Sequence, residues 1–321
     1  MSSVPVFAAH DVEAAVSPER AVEVVRDAFV AYARGEWSMP SKVYVPAYPA
    51  GDFRAMPALG GGFALLKWVT SFPGNPELGL PTVTGLVLVS DASNGMPVAV
   101  LDAGAVTALR TGAAAVLAAE TLGREDAGSA AVIGAGVNGR AAARTFLVRG
   151  RSVLIWDVDL ERAETVAVEL GTEVSESRAA ALAAELVVTV TPGHEVVFPE
   201  RSLQPGQHVS LMGADGPGKA EISVEELGRV RVFCDDWEQA SHNGDLVHAV
   251  EAGVVGRDDV TQLGEVLAGN VAGRASGDEI TVFDSTGLAI QDLAVGIEVV
   301  NRYREDADEG RFSSVQVIDL G

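Results

Sequence analysis

The chain has one cysteine, Cys234, in 321 residues. An intrachain disulfide is therefore excluded, as is any metal site built on cysteines. A lone thiol of this kind reads as a small buried hydrophobe. Basic residues are also scarce: 23 Lys and Arg stand against 45 Asp and Glu, for a formal net charge of −22. So acidic a surface repels phosphate backbones, and nucleic acid is not an expected partner. It does not exclude a small anionic substrate, because local charge in a cleft can oppose the overall sign. Histidine numbers five, with no cluster at metal-ligand spacing. His194, His208, His242 and His248 are read as loop or core residues, and no metal is expected. No apolar run reads as the ~20 residues of a membrane span. The N-terminal "MSSVPVFAAHDVEAAV" lacks a basic n-region, so no signal peptide is read. A soluble, cytoplasmic protein is the expectation.

What is present is a globular composition, 48% hydrophobic and 21% charged. The length suits one large or two ordinary domains. "SPERAVEVVRDAFVAYARGE" predicts a helix, with Ser17 as N-cap, Pro18 in the first turn and Gly35 at the stop. Val22, Val25, Phe29 and Tyr32 keep its apolar stripe. From Lys42 to Leu101 strand-like runs are punctuated by Gly, Pro, Asn and Asp, which predicts a mixed or antiparallel sheet. The Ala-rich helix "VTALRTGAAAVLAAETLG" follows. After "REDAGSA" strands and helices alternate, as in a parallel sheet flanked by helices. The last long helix, "TGLAIQDLAVGIEVVNRYRED", is expected to return to the first domain. The domains expected are 1–122, completed by 288–321, and 123–287.

"SAAVIGAGVNGRAAARTF" places Gly134, Gly136 and Gly139 between an apolar strand and a helix. The first glycine permits a tight turn, the second lets a pyrophosphate approach, and the third lets helix and strand pack closely. The helix start adds free N–H groups and a positive dipole. Asp157 ends the next strand, "SVLIWD", about 20 residues on, where an acid binds the ribose 2′-OH. Its charge would repel a 2′-phosphate, with Asp159 adding to the repulsion. NAD is therefore expected over NADP, in a Rossmann domain.

Lys67 is the unusual charge, set in "GGFALLKWVTSF". Partial burial among Phe63, Leu65, Leu66 and Trp68 would lower its pKa and make it an acid–base group. The plain alternative is a strand lysine reaching out to water. Arg110, read as lying near a helix start, could hold a carboxylate with help from the helix dipole. Lys42 and Arg54 are further candidates for the same pocket. Asp215, in the Gly-rich loop of "SLMGADGPGKAEI", could orient a water or ammonia, or take a proton.

Together "DFRAMPA", "LLKWVTSFPGNPELGLPTV", "LDAGAVTALRTGAA", "AAVIGAGVNGRAAA", "LVVTVTPG", "LMGADGPGKAEI" and "ITVFDSTGLAIQDLA" resemble the ornithine cyclodeaminase/mu-crystallin family over nearly the whole chain. "DFRAMPA", "LKWV" and "FDSTGLAIQD" look most like its archaeal-type alanine dehydrogenase branch. The resemblance implies an α/β protein with a Rossmann-type NAD-binding domain and a mixed α+β substrate-binding and dimerisation domain. It implies a homodimer through the first domain's sheet and catalysis in a cleft between domains. It makes Lys67 and Asp215 catalytic and Arg110 the carboxylate holder. It places Thr82, Val137, Asn138, Asp157, Thr191, Met212, Gly213, Lys219 and Ser285 at the cofactor, and Thr111 is a further candidate contact there. Ornithine cyclodeaminases carry arginine where this chain has Lys42, and the two are not equivalent carboxylate clamps. The expected activity is an NAD(H)-dependent amino-acid dehydrogenase or imine reductase acting on a small, alanine-like amino acid and its 2-oxo acid or imine. The alternatives are a cyclodeaminase that releases ammonia with NAD recycled internally, and a non-enzymatic NAD(P)H or ligand binder like lens mu-crystallin.

Overall fold

The computed structural model describes residues 3–192, 195–214, 216, 218–306, 312 and 315–320. Asp215 and His194 lie outside the described residues. The chain forms two compact units, Met1–Arg110 with Leu288–Gly321, and Thr111–Gly287.

The first unit begins with β1 (Ser3–Phe7), α1 (Ala9–Ala15) and α2 (Pro18–Ala33). Ser17 caps α2 by accepting from the Arg20 N–H, and Pro18 opens it. Ala21, Val22, Val25, Ala28 and Phe29 form its buried stripe. Five strands follow: β2 (Val43–Ala47), β3 (Gly51–Gly60), β4 (Phe63–Ser71), β5 (Val83–Asp91) and β6 (Pro97–Asp102). Pro46, which cannot donate to a ladder, sits in the edge strand β2. The "PGNPELGLP" connection joins antiparallel β4 and β5 from the pair Ser71↔Val83. It contains a 3-10 turn, Asn75–Leu78, ended by Gly79 at φ +71. Helix α3 (Ala103–Leu122) comes next.

In the second unit strands and helices alternate: β7 (Ala130–Ile133), α4 (Val137–Val148), β8 (Val153–Trp156), α5 (Leu160–Leu170), β9 (Glu173–Val174), α6 (Arg178–Leu182), β10 (Leu186–Thr189) and β11 (His208–Leu211). Then come α7 (Val224–Leu227), β12 (Arg231–Cys234), α8 (Trp237–Asn243), α9 (Val247–Glu251), β13 (Val260–Gln262), α10 (Leu263–Leu267) and β14 (Thr281–Asp284). The sheet runs β13-β12-β14-β11-β10-β7-β8-β9, and every pairing is parallel. β7 is the first strand and sits inside the sheet, with β8 on one side and β10 on the other. That is the doubly wound order, whose switch point lies between β7 and β10. The core is mostly aliphatic, with Ile133, Val187, Val209, Leu211 and Cys234 in one cluster, and Phe146, Phe233 and Phe283 are buried in the unit as well.

The chain then returns to the first unit as α11 (Ala289–Glu305) and β15 (Gln316–Asp319). The first sheet runs β15-β1-β6-β5-β4-β3-β2 and is mixed, with β1 parallel to β6 and the other pairs antiparallel. α11 packs on α2, β3, β4 and β5. A side chain at Gly296 would stand 3.2 Å from Val89, so the glycine sets how closely helix and sheet approach.

The division between units falls inside α3, whereas the sequence reading set its boundary after Leu122. The second half of α3 belongs to the Rossmann unit for a packing reason. A Cβ on Gly112 would come 2.7 Å from Ala141 O of α4, and Ser210 Oγ donates to Ala115 O at 3.0 Å. By length and composition alone α3 could cross a membrane, contrary to the sequence reading, but it is mostly buried within the protein. Its apolar character is that of a core helix.

Candidate functional site

The first unit gathers charge around Lys67. Strand alternation sends Leu65, Lys67 and Val69 to the covered face of β4 and Leu66 and Trp68 to the opposite one. The sequence reading surrounded Lys67 with Leu66 and Trp68. Those two are instead 41% and 42% exposed, and Lys67 is 1% exposed. Its cross-strand neighbours are Met56 and Val87. Its ammonium donates to Asp292 Oδ1 of α11 at 2.9 Å and to Thr107 Oγ1 of α3 at 2.5 Å. Thr107 in turn donates to Ala103 O at 2.6 Å. Burial pushes the Lys67 pKa down, and the charges of Arg110 and Arg54 push the same way. Asp292 pulls it back up, and the balance leaves it at about 8.

Arg110 shares the counter-ion. Its Nε lies 3.4 Å from Asp292 Oδ1, on the same oxygen that Lys67 uses. Arg110 stands two turns into α3, since the helix begins at Ala103. The helix dipole acts only within the first turn, so the expected help from the helix start is absent. What the structure supplies instead is Asp292, which pairs with the guanidinium. Arg110 Nε and Asp292 Oδ2 are both buried without a hydrogen-bond partner among the described residues. A 2-amino acid carries an acceptor for the first and a donor for the second.

Arg54 is buried in β3, with Nε 2.6 Å from Asp52 Oδ1 and its guanidinium over the Tyr44 ring at 5.3 Å. Its charge reaches Lys67, but Asp52 already answers one edge of the fork. Lys42 is half-buried just before β2, and Thr82 is half-buried just before β5. The structure thus brings Lys67, Arg110 and Arg54 into one neighbourhood. Asp292 and Thr107 belong to it too, and the sequence reading assigned neither.

The second unit presents the strand ends of a nucleotide site. Gly134 has φ +105, and a Cβ there would lie 2.5 Å from Val190 O. A Cβ on Gly139 would collide with Gly134 O, whereas one on Gly136 would meet open space. This is a cradle closed on the protein side and open where a phosphate would approach. Gly136 caps α4, and Val137 and Asn138 open it. Thr111 Oγ1 is buried without a hydrogen-bond partner among the described residues, which suits an acceptor brought by a ligand. These features fit the pyrophosphate of a dinucleotide.

Asp157 follows β8, and its carboxylate accepts from the Ala135 N–H at 2.6 Å and the Asp159 N–H at 2.8 Å. It therefore builds the glycine loop, at the strand end where the sequence reading expects the ribose. Asp159 behaves otherwise than expected. One oxygen caps α5 through the Arg162 N–H, and the other pairs with the Arg162 guanidinium at 3.0 Å. Much of its repulsion is cancelled. Thr191 lies just beyond β10, and Met212 and Gly213 lie just beyond β11. Lys219 is half-buried in the following loop. Ser285, beyond β14, donates to Asp235 Oδ2 at 3.2 Å. His208 is a buried strand residue bonded to Thr281 and Ser210, and burial drives its pKa down to about 3. Among the described residues no group of three or more His, Cys, Asp or Glu could hold a metal.

Comparison with known proteins gives the same outline. A family model described as the ornithine cyclodeaminase/mu-crystallin family matches residues 4–307. A protein of Archaeoglobus fulgidus named alanine dehydrogenase is 42% identical over 294 residues, 89% of this chain and 90% of that one. The solved structure of an archaeal alanine dehydrogenase dimer with bound NAD superposes with a TM-score of 0.92 at 38% identity and covers 100% of both chains. The Thermococcus litoralis Delta(1)-pyrroline-2-carboxylate reductase, solved with NADH and L-proline, gives a TM-score of 0.88 at 26% identity, covering 95% of this chain and 98% of that one.

Proposed function

This chain belongs to the ornithine cyclodeaminase/mu-crystallin family, and from that premise we propose that it interconverts a small, alanine-like amino acid and its 2-oxo acid or imine. It is an NAD-dependent oxidoreductase of the amino-acid dehydrogenase and imine reductase type, acting on CH–NH2 or C=N groups. The observation that carries the substrate reading is the Lys67–Asp292–Arg110 cluster. Two cations share one carboxylate oxygen, and one buried donor and one buried acceptor stay unanswered.

With Lys67 protonated, Lys67, Arg110 and Asp292 sum to one positive charge. A substrate carboxylate on Arg110 brings that sum to zero, which is the reason to expect an anionic substrate in a strongly acidic protein. The bound cofactor supplies the hydride acceptor or donor. Gly134, Gly136, Gly139 and Thr111 would hold its pyrophosphate and Asp157 its ribose. Lys67 Nζ holds or releases a proton near neutral pH. In the oxidative direction it takes a proton as the amine becomes an imine or as water adds to that imine. In the reductive direction it returns one. Asp215 is assigned the second acid–base role from its place in the "MGADGPGKAEI" motif.

We also assign the protein a homodimer formed through the outer face of the first sheet. Leu66 pairs with Leu88 and Trp68 with Leu86 across β4 and β5, all on the face opposite Lys67. All four are exposed, Leu86 to 58%, and Val43 and Val45 in β2 are exposed as well. An apolar patch of this extent on a sheet marks an interaction surface.

The test is an NADH-coupled assay of purified protein. Pyruvate and other small 2-oxo acids are supplied with ammonia or primary amines, and cyclic imino acids are supplied alone. Stoichiometric NADH oxidation with at least one small substrate supports the reading. Ammonia release from ornithine or lysine without net NADH would replace it with cyclodeaminase chemistry. Tight NADH binding with no turnover on the whole panel would replace it with a binding role.

A further inference from the structure

Glu221 is fully buried in the Rossmann unit, in the "LMGADGPGKAEI" segment but at a position to which the sequence reading gave no role. Each of its carboxylate oxygens accepts two hydrogen bonds. Oε1 takes the Thr191 N–H at 2.9 Å and the Thr191 hydroxyl at 2.6 Å. Oε2 takes the Gly213 N–H at 2.9 Å and the Thr189 hydroxyl at 2.8 Å. The two hydroxyls can reverse direction, but the two backbone N–H groups cannot. Each oxygen must therefore accept at least one hydrogen bond; burial pushes the carboxyl pKa up, and these bonds oppose that push by favouring the ionised form. Four donors offset the cost of burying that charge.

The geometry spans two loops. Thr191 leaves the C-terminal end of β10, and Gly213 leaves that of β11, its neighbour in the sheet. One carboxylate ties both together. A Cβ on Gly213 would stand 2.6 Å from Glu221 Cδ. The residue is glycine where the clamp fills the space. The backbone of Glu221 is fixed as well, because its carbonyl accepts from Val197 and Phe198 and its N–H donates to Asp245.

These loops lie on the far side of the switch point from β8 and Asp157. A doubly wound sheet binds the two halves of a dinucleotide on the two sides of that point. We infer that Glu221 is a positioning residue for the nicotinamide half of NAD, holding the β10 and β11 loops without touching the cofactor. The inference rests on the dinucleotide reading above. A residue needed only for folding would affect both halves of the cofactor alike. A clamp on these loops affects one.

The experiment compares NADH with ADP-ribose, which lacks the nicotinamide, as ligands of the full-length protein. Affinities are measured by calorimetry alongside thermal melting. In Glu221→Gln an amide N–H replaces one acceptor and opposes a backbone N–H. NADH should bind at least tenfold more weakly, with ADP-ribose within twofold of wild type. Parallel weakening of both ligands, or weakening of neither, overturns the inference about Glu221. Failure of the wild type to bind either ligand removes the dinucleotide reading itself, and this inference with it. If Glu221→Gln does not fold, Thr189→Val decides the matter. It removes one of the four bonds at nearly constant volume and at a position with no place in the cofactor cradle. NADH binding should weaken at least twofold with ADP-ribose unchanged, and an unchanged NADH affinity contradicts the clamp.

Discussion

Lys67 donates to Asp292 Oδ1 at 2.9 Å across 225 positions of sequence. The strand lysine and the helix aspartate are both buried, and each is the other's reason to be there. Without Asp292 the ammonium would lose a charged acceptor, and without Lys67 and Arg110 the carboxylate would have no counter-charge. Breaking such a buried pair from one side costs about 3–5 kcal/mol.

The first prediction concerns pH. Lys67 sits at about 8, well below its ordinary value, and Asp292 is what holds it up against burial. Amine oxidation needs Lys67 neutral, so kcat/KM in that direction should rise with pH and level off above about 8. In Asp292→Asn the raising influence is gone, and this limb should move to lower pH. A pH–rate profile of the variant with the limb unmoved would show that Asp292 does not set the lysine.

Asp157 carries a second prediction. It serves the glycine loop through Ala135, and it is proposed to hold the ribose. Asp157→Ala should weaken NADH binding at least tenfold, or about 1.4 kcal/mol, and narrow the preference over NADPH. Titrations of both cofactors check this. An unchanged preference would show that Asp157 is not at the ribose.

The outer sheet face gives a third. Leu86 is the most exposed of the four leucine and tryptophan residues paired across β4 and β5. Leu86→Glu should convert a two-copy particle to one copy in light scattering, with the circular dichroism spectrum retained. A dimer that persists in the variant places the interface elsewhere.

The fourth is a stability effect. Burial, with the charge of Glu221 second, raises the Asp245 carboxyl to about 8. The folded state thus keeps a proton that the unfolded chain releases near pH 4. Stability from this group is full below that pH and is lost as pH rises to about 8. Asp245→Asn has no such proton to lose, and its amide oxygen can still accept from the Glu221 N–H. The Tm of wild type should therefore fall more between pH 5.5 and 8.5 than that of Asp245→Asn. Parallel curves would contradict the shift.

The Rossmann half was legible because its signals are local. Gly134, Gly136 and Gly139 and the Asp157 that follows lie on contiguous strand–turn–helix sequence. β1 was not legible: "SVPVF" is short, contains a proline, and gains its place only by pairing with β6 and β15. Asp292 and Glu221 were missed for a related reason. For Asp292 the lysine partner is 225 positions away, and for Glu221 the partners are 8 to 32 positions away at the ends of two strands, beyond any periodicity. A signal existed all the same. "LAIQDLAV" sets an acid in a helix stretch buried on every side, and a lone buried charge calls for an opposite one. The chain holds such a charge at Lys67. The error about Leu66 and Trp68 was one of strand period, since neighbours in sequence point to opposite faces.

The central claim is that Lys67 is the acid–base group of an NAD-dependent amine-oxidising site. The measurement that tests it most directly is turnover of Lys67→Ala in the NADH-coupled assay, with NADH affinity measured on the same sample. The account predicts a loss of at least a thousandfold in kcat, or about 4 kcal/mol, with the NADH Kd within threefold of wild type. More than a tenth of wild-type turnover at unchanged NADH affinity would contradict it.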